Sequence, residues 1–113
     1  DMVVQLGKER MGRRGLSDVG AVVGATKASE GRELRERMPN QVFLVPGYGA
    51  QGGTIDDVRQ LVRTCARSMG ELGVLVNASR SVIFPAASPG KDWKSGVREA
   101  AKKFAGELAA LRS

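Results

Sequence analysis

Histidine is absent from this 113-residue chain and cysteine occurs once, at Cys65. Those two residue types supply most protein ligands for zinc and other transition metals, so no metal site is expected. A lone cysteine has no partner for an internal disulfide, and its place in a helical pattern suggests a thiol packed in the core. Aromatic residues make up only 4% of the chain. With the basic residues scattered and no recognition-helix or stacking motif, that scarcity argues against nucleic acid as a partner. No apolar run approaches the roughly 20 residues of a membrane span, and no basic start followed by an apolar stretch marks a secretion signal. A soluble, cytoplasmic protein without a membrane partner is the expectation.

What is present is a 42% hydrophobic composition in 12.0 kDa, which suits one small folded domain. Lys and Arg outnumber Asp and Glu by 18 to 12, a net charge of +6 that favours anionic partners without choosing among them. Glycine is plentiful, with 15 residues, four of them in one stretch. That stretch, residues 42–54, runs from the apolar Val42-Phe43-Leu44-Val45 into Pro46, then Gly47, Gly49, Gly52 and Gly53, then Thr54. A short strand therefore ends in a loop whose backbone can approach a ligand closely, and Thr54 stands where a helix cap belongs. Amide groups at such a junction suit a phosphate, although glycine also serves any strand-to-helix turn.

In chain order, Val3, Leu6 and Met11 suggest an amphipathic helix before a turn at residues 12–15. Residues 19–25 form a β-branched run expected to be a strand buried on both faces. Ser29 then caps a helix over residues 30–38, with Leu34 and Met38 inward and Arg32, Glu33, Arg35, Glu36 and Arg37 in water. After the glycine loop, Thr54 and Asp57 form a capping box. The helix behind it should bury Val58, Leu61, Val62, Cys65 and Met69, with Arg59, Arg63 and Arg67 outside. A third strand over 73–79 follows, which residues 81–84 continue past, and residues 85–90 make a loop containing two prolines. Asp92 caps a final helix over residues 92–111, whose stripe is Trp93, Val97, Ala100 or Ala101, Phe104, Leu108 and Leu111. Helix and strand thus alternate, which implies βα units and a parallel sheet; periodicity leaves open whether the sheet is doubly wound or part of a (β/α)8 barrel.

Three stretches share one resemblance. Pro46-Gly47-Tyr48-Gly49-Ala50-Gln51-Gly52-Gly53 resembles the Pro-Gly-x-x-x-Gln-Gly loop of the orotidine 5′-phosphate decarboxylases. Val19-Gly20-Ala21-Val22-Val23-Gly24-Ala25-Thr26-Lys27 resembles that family's sixth strand, and Val74-Leu75-Val76-Asn77-Ala78-Ser79-Arg80 its eighth, with the phosphate-binding arginine. Order and spacing agree with the family's divergent bacterial branch over essentially the whole chain. Tyr48 stands where the family more often has a small apolar residue.

The resemblance implies α/β architecture, namely the last three βα units, strands 6–8, of a TIM (β/α)8 barrel. Such a barrel takes about 250 residues, so residues 1–113 are expected to be a C-terminal fragment of one barrel domain, with 46–54 as its phosphate-binding loop. An incomplete barrel leaves a strand edge and an inner face open, from which a homo-oligomer is expected. By resemblance the whole protein converts orotidine 5′-monophosphate to uridine 5′-monophosphate in de novo pyrimidine biosynthesis, with neither metal nor organic cofactor. The family's Asp-Lys-Asp catalytic array lies on earlier strands. No segment here matches it, so no catalytic residue is assigned and the chain alone is expected to be inactive. Lys27 follows the sixth strand but lacks charged partners in its segment. The residues implied for binding the nucleoside monophosphate substrate are Gln51, bridging phosphate and pyrimidine, and Arg80, holding the phosphate with amides near Ser79 and the Gly52-Gly53 turn. Thr26 lies near the base in this scheme, Pro46 and Gly47 open the loop, and residues 48–53 are the expected lid. Two other readings remain: a sugar-phosphate decarboxylase barrel, and a non-enzymatic anion-binding module.

Overall fold

The computed structural model describes residues 1–24, 28–49, 52–84 and 92–112. Three strands, β1 (Ala21–Val22), β2 (Phe43–Val45) and β3 (Val74–Val76), form one sheet in the order β1-β2-β3. Both pairings are parallel, with Ala21 opposite Phe43 and Phe43 opposite Val74. Helices α1 (Met2–Gly7), α2 (Ala28–Arg37), α3 (Ile55–Arg59), α4 (Arg80–Ile83) and α5 (Trp93–Ala109) alternate with them, as expected.

Side chains alternate across a strand, so each strand offers two faces. Phe43 and Val45 are wholly buried on one, beside Val23, and meet Met38 just after α2 and Val58, Leu61 and Val62 of the α3 region. Val22, Leu44 and Leu75 lie in register on the other, 69%, 41% and 62% exposed. The run expected over 19–25 as a strand buried on both faces is therefore, as far as Gly24, covered on one face only, since Val22 faces out. Among the described residues the helices that pack on the sheet cover one side only, and the regular ladder of β1 is two residues long. Gly20 lets β1 reach β2, since a Cβ there would sit 2.2 Å from the Val42 carbonyl oxygen.

Several local expectations hold because they depend on neighbours in sequence. Thr54 Oγ1 accepts from the Asp57 amide while the Asp57 carboxylate accepts from the Thr54 amide, the reciprocal box that starts α3. Asp92 accepts from the Ser95 amide at 2.7 Å and starts α5. Ser29, in contrast, lies inside α2, which already begins at Ala28. In α1 the packed residues are Val3 and Val4 with Gly7, while Leu6 is 62% exposed and Met11 also faces out. Gly7 sets that face: a Cβ there would lie 2.4 Å from Ser17 Oγ, which donates to the Gly7 carbonyl.

The largest departures follow α3. It ends at Arg59, and the next amides bond three residues back, Leu61 to Val58 and Val62 to Arg59, so the helical stripe is lost. Cys65 and Met69 are exposed, and Arg63 is buried with its guanidinium on the carbonyls of Pro39, Glu71 and Gly15. Arg35, expected in water, is 4% exposed. Residues after β3 turn into α4 instead of running on as strand. The loop at 85–90 lies outside the described residues. Along α5 no residue is fully buried, Trp93 is 74% exposed, and Leu111 is buried in the 3-10 turn Ala110–Arg112. Among the described residues no helix is long and apolar enough to cross a membrane.

Candidate functional site

Because the strands are parallel, their C-terminal ends open on the same edge of the sheet, where loops in α/β proteins gather their ligands. β2 leads there into the glycine loop and β3 into residues 77–80. β1 leads to Gly24 and then to Thr26 and Lys27, which lie outside the described residues.

The glycine loop folds back on itself. The Gly53 amide donates to the Gly47 carbonyl at 3.0 Å, the Gly49 amide to the Gly53 carbonyl and the Gly52 amide to the Gly49 carbonyl, both at 2.9 Å. Tyr48 pairs with Gly53 as an isolated bridge. Gly52 has φ 91° with open space around it, so its glycine serves the left-handed backbone and not a tight contact. Pro46 and Gly47 open the loop, half-buried. Ala50 and Gln51 lie outside the described residues.

Beside it, the Asn77 amide donates to the Val45 carbonyl at 3.0 Å, fixing the exit of β3 against that of β2. The Ser79 hydroxyl donates to Asn77 Oδ1 at 3.3 Å, and Ser79 precedes α4 without a side-chain cap. Arg80 opens α4 and is exposed. Loop and α4 approach one another: a Cβ on Gly49 would lie 3.7 Å from Ser81 Oγ. The structure thus brings Pro46, Gly47, Gly52, Gly53, Ser79 and Arg80 to one edge of the sheet. α3 and α4 have five and four residues, too few to sum a large dipole. Anion affinity here would rest on individual amides and the Arg80 guanidinium.

Two further features were not anticipated from sequence. The Tyr48 hydroxyl donates to the Glu107 carboxylate, and its ring lies 5.4 Å from that of Phe104 at 46°. Burial first, then the hydrogen bond and charge of Glu107, push the phenol up to about 12. Phe104 and Glu107 are one helical turn apart on α5, a spacing visible in sequence, but nothing local links them to Tyr48. The second feature is Arg35, which gathers carbonyls beneath the sheet. Among the described residues no cluster of three His, Cys, Asp or Glu could hold a metal.

No family model matches the chain. It is 44% identical over 84 residues to the orotidine 5′-phosphate decarboxylase of Caldicellulosiruptor bescii, covering 74% of this chain and 26% of that protein. It is 40% identical over 107 residues to that of Rhodopirellula baltica, covering 88% of this chain and 34% of that protein. The solved structure of Leishmania donovani UMP synthase matches with TM-score 0.59 at 36% identity, over 82% of this chain and 18% of that one. The chain spans about a quarter to a third of the length of the curated relatives it matches. Its parallel three-stranded α/β sheet is consistent with part of a barrel. Over the part of those proteins that it spans, the chain belongs with the orotidine 5′-phosphate decarboxylases.

Proposed function

We propose that this chain supplies the phosphate-binding end of an orotidine 5′-monophosphate decarboxylase acting in pyrimidine biosynthesis. The observation that carries the reading is the meeting of the glycine loop with residues 77–81 at the C-terminal edge of a parallel sheet. The relatives' shared name supports it. In this reading β1, β2 and β3 are the sixth, seventh and eighth strands of the barrel, and residues 1–113 are its C-terminal part.

Arg80 holds the phosphate by paired, charge-assisted hydrogen bonds, helped by amides near Ser79, while the Gly52-Gly53 turn, whose own amides donate to the Gly49 and Gly47 carbonyls, shapes the wall of the cradle. Pro46 and Gly47 fix the loop's entry, Gln51 bridges phosphate and base, and Thr26 lies near the base. Contacts to a phosphate that does not react can order and close a loop over the reacting base, so they enter the rate as well as the affinity. The carboxyl-releasing chemistry belongs to an acidic-lysine array outside this chain, and needs neither metal nor organic cofactor. A second copy covering Val22, Leu44 and Leu75 would make the chain a homo-oligomer.

Titration with uridine 5′-monophosphate, uridine and ribose 5-phosphate tests the reading. Preference for the nucleotide over both others is expected. Equal affinity for ribose 5-phosphate would favour a sugar-phosphate enzyme, and indifference to the base with tight polyanion binding would favour a non-enzymatic anion module.

A further inference from the structure

We propose that Tyr48 and Glu107 form a latch that fixes the base of the 46–54 loop to α5 and makes both of them positioning residues for the bound phosphate. The latch itself follows from geometry, whereas its bearing on phosphate rests on the function proposed above.

Tyr48 is where two constraints coincide. Its backbone bridges to Gly53, closing the two limbs of the loop, and the neighbouring amides of Gly49 and Gly53 complete the closure. Its side chain points away from the loop to α5, where the ring meets Phe104 and the hydroxyl donates to Glu107. Phe104 and Glu107 stand three residues apart, so one face of α5 presents the apolar and the acidic contact together. A hydrogen bond to an ionised carboxylate in a partly dry contact is stronger than one between neutral groups. α5 has no fully buried residue; it packs against α4, and Leu108 with Leu111 of the following turn reaches the core, so the Tyr48 contact adds to a shallow attachment. A loop anchored at its base has less freedom to lose when it orders around an anion, and that saving appears as affinity.

Tyr48→Phe keeps the ring and removes the hydroxyl. In the full chain, amide exchange at Gly49, Gly52 and Gly53 should quicken by about tenfold, the weight of one charge-assisted hydrogen bond, with exchange in the sheet unchanged. Affinity for uridine 5′-monophosphate should fall by about three- to tenfold while that for uridine stays. Glu107→Ala should reproduce both effects, Glu107→Gln should restore part of each because it keeps an oxygen acceptor, and the Tyr48→Phe/Glu107→Ala double variant should be no worse than either single. Unchanged loop exchange, or faster exchange everywhere, overturns the latch. Equal loss for nucleotide and nucleoside overturns the positioning role. A wild-type chain that ignores uridine 5′-monophosphate overturns the proposed function and the positioning role together, and the exchange rates still decide the latch.

Discussion

The guanidinium of Arg35 lies 3.8 Å from the centroid of the Phe43 ring, at the centre of the core. Its Nε donates to the Leu61 carbonyl at 2.6 Å, Nη1 to Met38 and Gln41 at 2.9 and 2.8 Å, and Nη2 to Gly73 at 2.8 Å. These carbonyls lie after α2, after α3 and before β3, places where regular structure ends and backbone acceptors lack partners. Burial first, then the like charges of Arg63 and Arg32, bring Arg35 down to about 10, so it keeps its charge at neutral pH.

Arg35→Ala should therefore cost about 3–5 kcal/mol, since it strands several buried acceptors at once, and that is a large share of a stability of about 5–15 kcal/mol. Arg35→Lys, which keeps the charge but not the planar fork, should cost roughly half as much. Urea unfolding measures both; a change within about 0.5 kcal/mol for the alanine variant would remove Arg35 from the core's support.

Gly73 sits against the same cluster. With φ 74° and a virtual Cβ only 2.8 Å from Arg63 Cδ and 3.2 Å from Arg35 Nη2, it has neither the backbone freedom nor the space for a side chain. Gly73→Ala should destabilise by about 2 kcal/mol or more through left-handed strain and displacement of Arg63. An unchanged unfolding midpoint would show that the two arginines re-pack freely.

Tyr48 is the one tyrosine in the chain, so phenolate absorbance reports a single group. Its midpoint should stand near 12, above the ordinary 10.0, and Glu107→Gln should lower it. The folded value lies above the unfolded one, so the contribution to stability is complete below about pH 10 and is lost as pH rises toward about 12. A midpoint at the ordinary value in the folded chain would count against the contact.

Arg80→Ala, made in the complete protein, should leave the fold intact because the side chain is exposed. Losing charge-assisted hydrogen bonds should weaken nucleoside monophosphate binding by about 1.5–3 kcal/mol, or about one to two decades. The rate at saturation should fall too, and a nucleoside should bind as before. Equal loss for both ligands would mean general damage.

The chain by itself should show no decarboxylase turnover, should recover it with a separately made N-terminal piece, and should sediment as an oligomer. Robust turnover by the chain alone would refute the first expectation, and a monodisperse monomer would refute the last.

Sequence alone determined what depends on adjacent residues. Thr54 with Asp57 and Asp92 with Ser95 start their helices because the capping partners lie within one turn, and the glycines of 47–53 permit the loop because backbone sterics are local. The placing of apolar residues in three short parallel strands was legible for the same reason. Only the tertiary structure decided which charges went inside. Arg35 reads as solvent-facing on its own helix, yet the end of that helix and two distant stretches, at Leu61 and Gly73, offer it carbonyls, and Arg63 is drawn in likewise once α3 stops at Arg59 and leaves Cys65 outside. It also decided that Val22, Leu44 and Leu75 face outward, since alternation along a strand says that two faces exist and not which of them is covered. The meeting of Tyr48 with Glu107 was equally out of reach: 59 residues separate them, and a contact between far positions is set by how helices and sheet pack, which no local pattern encodes.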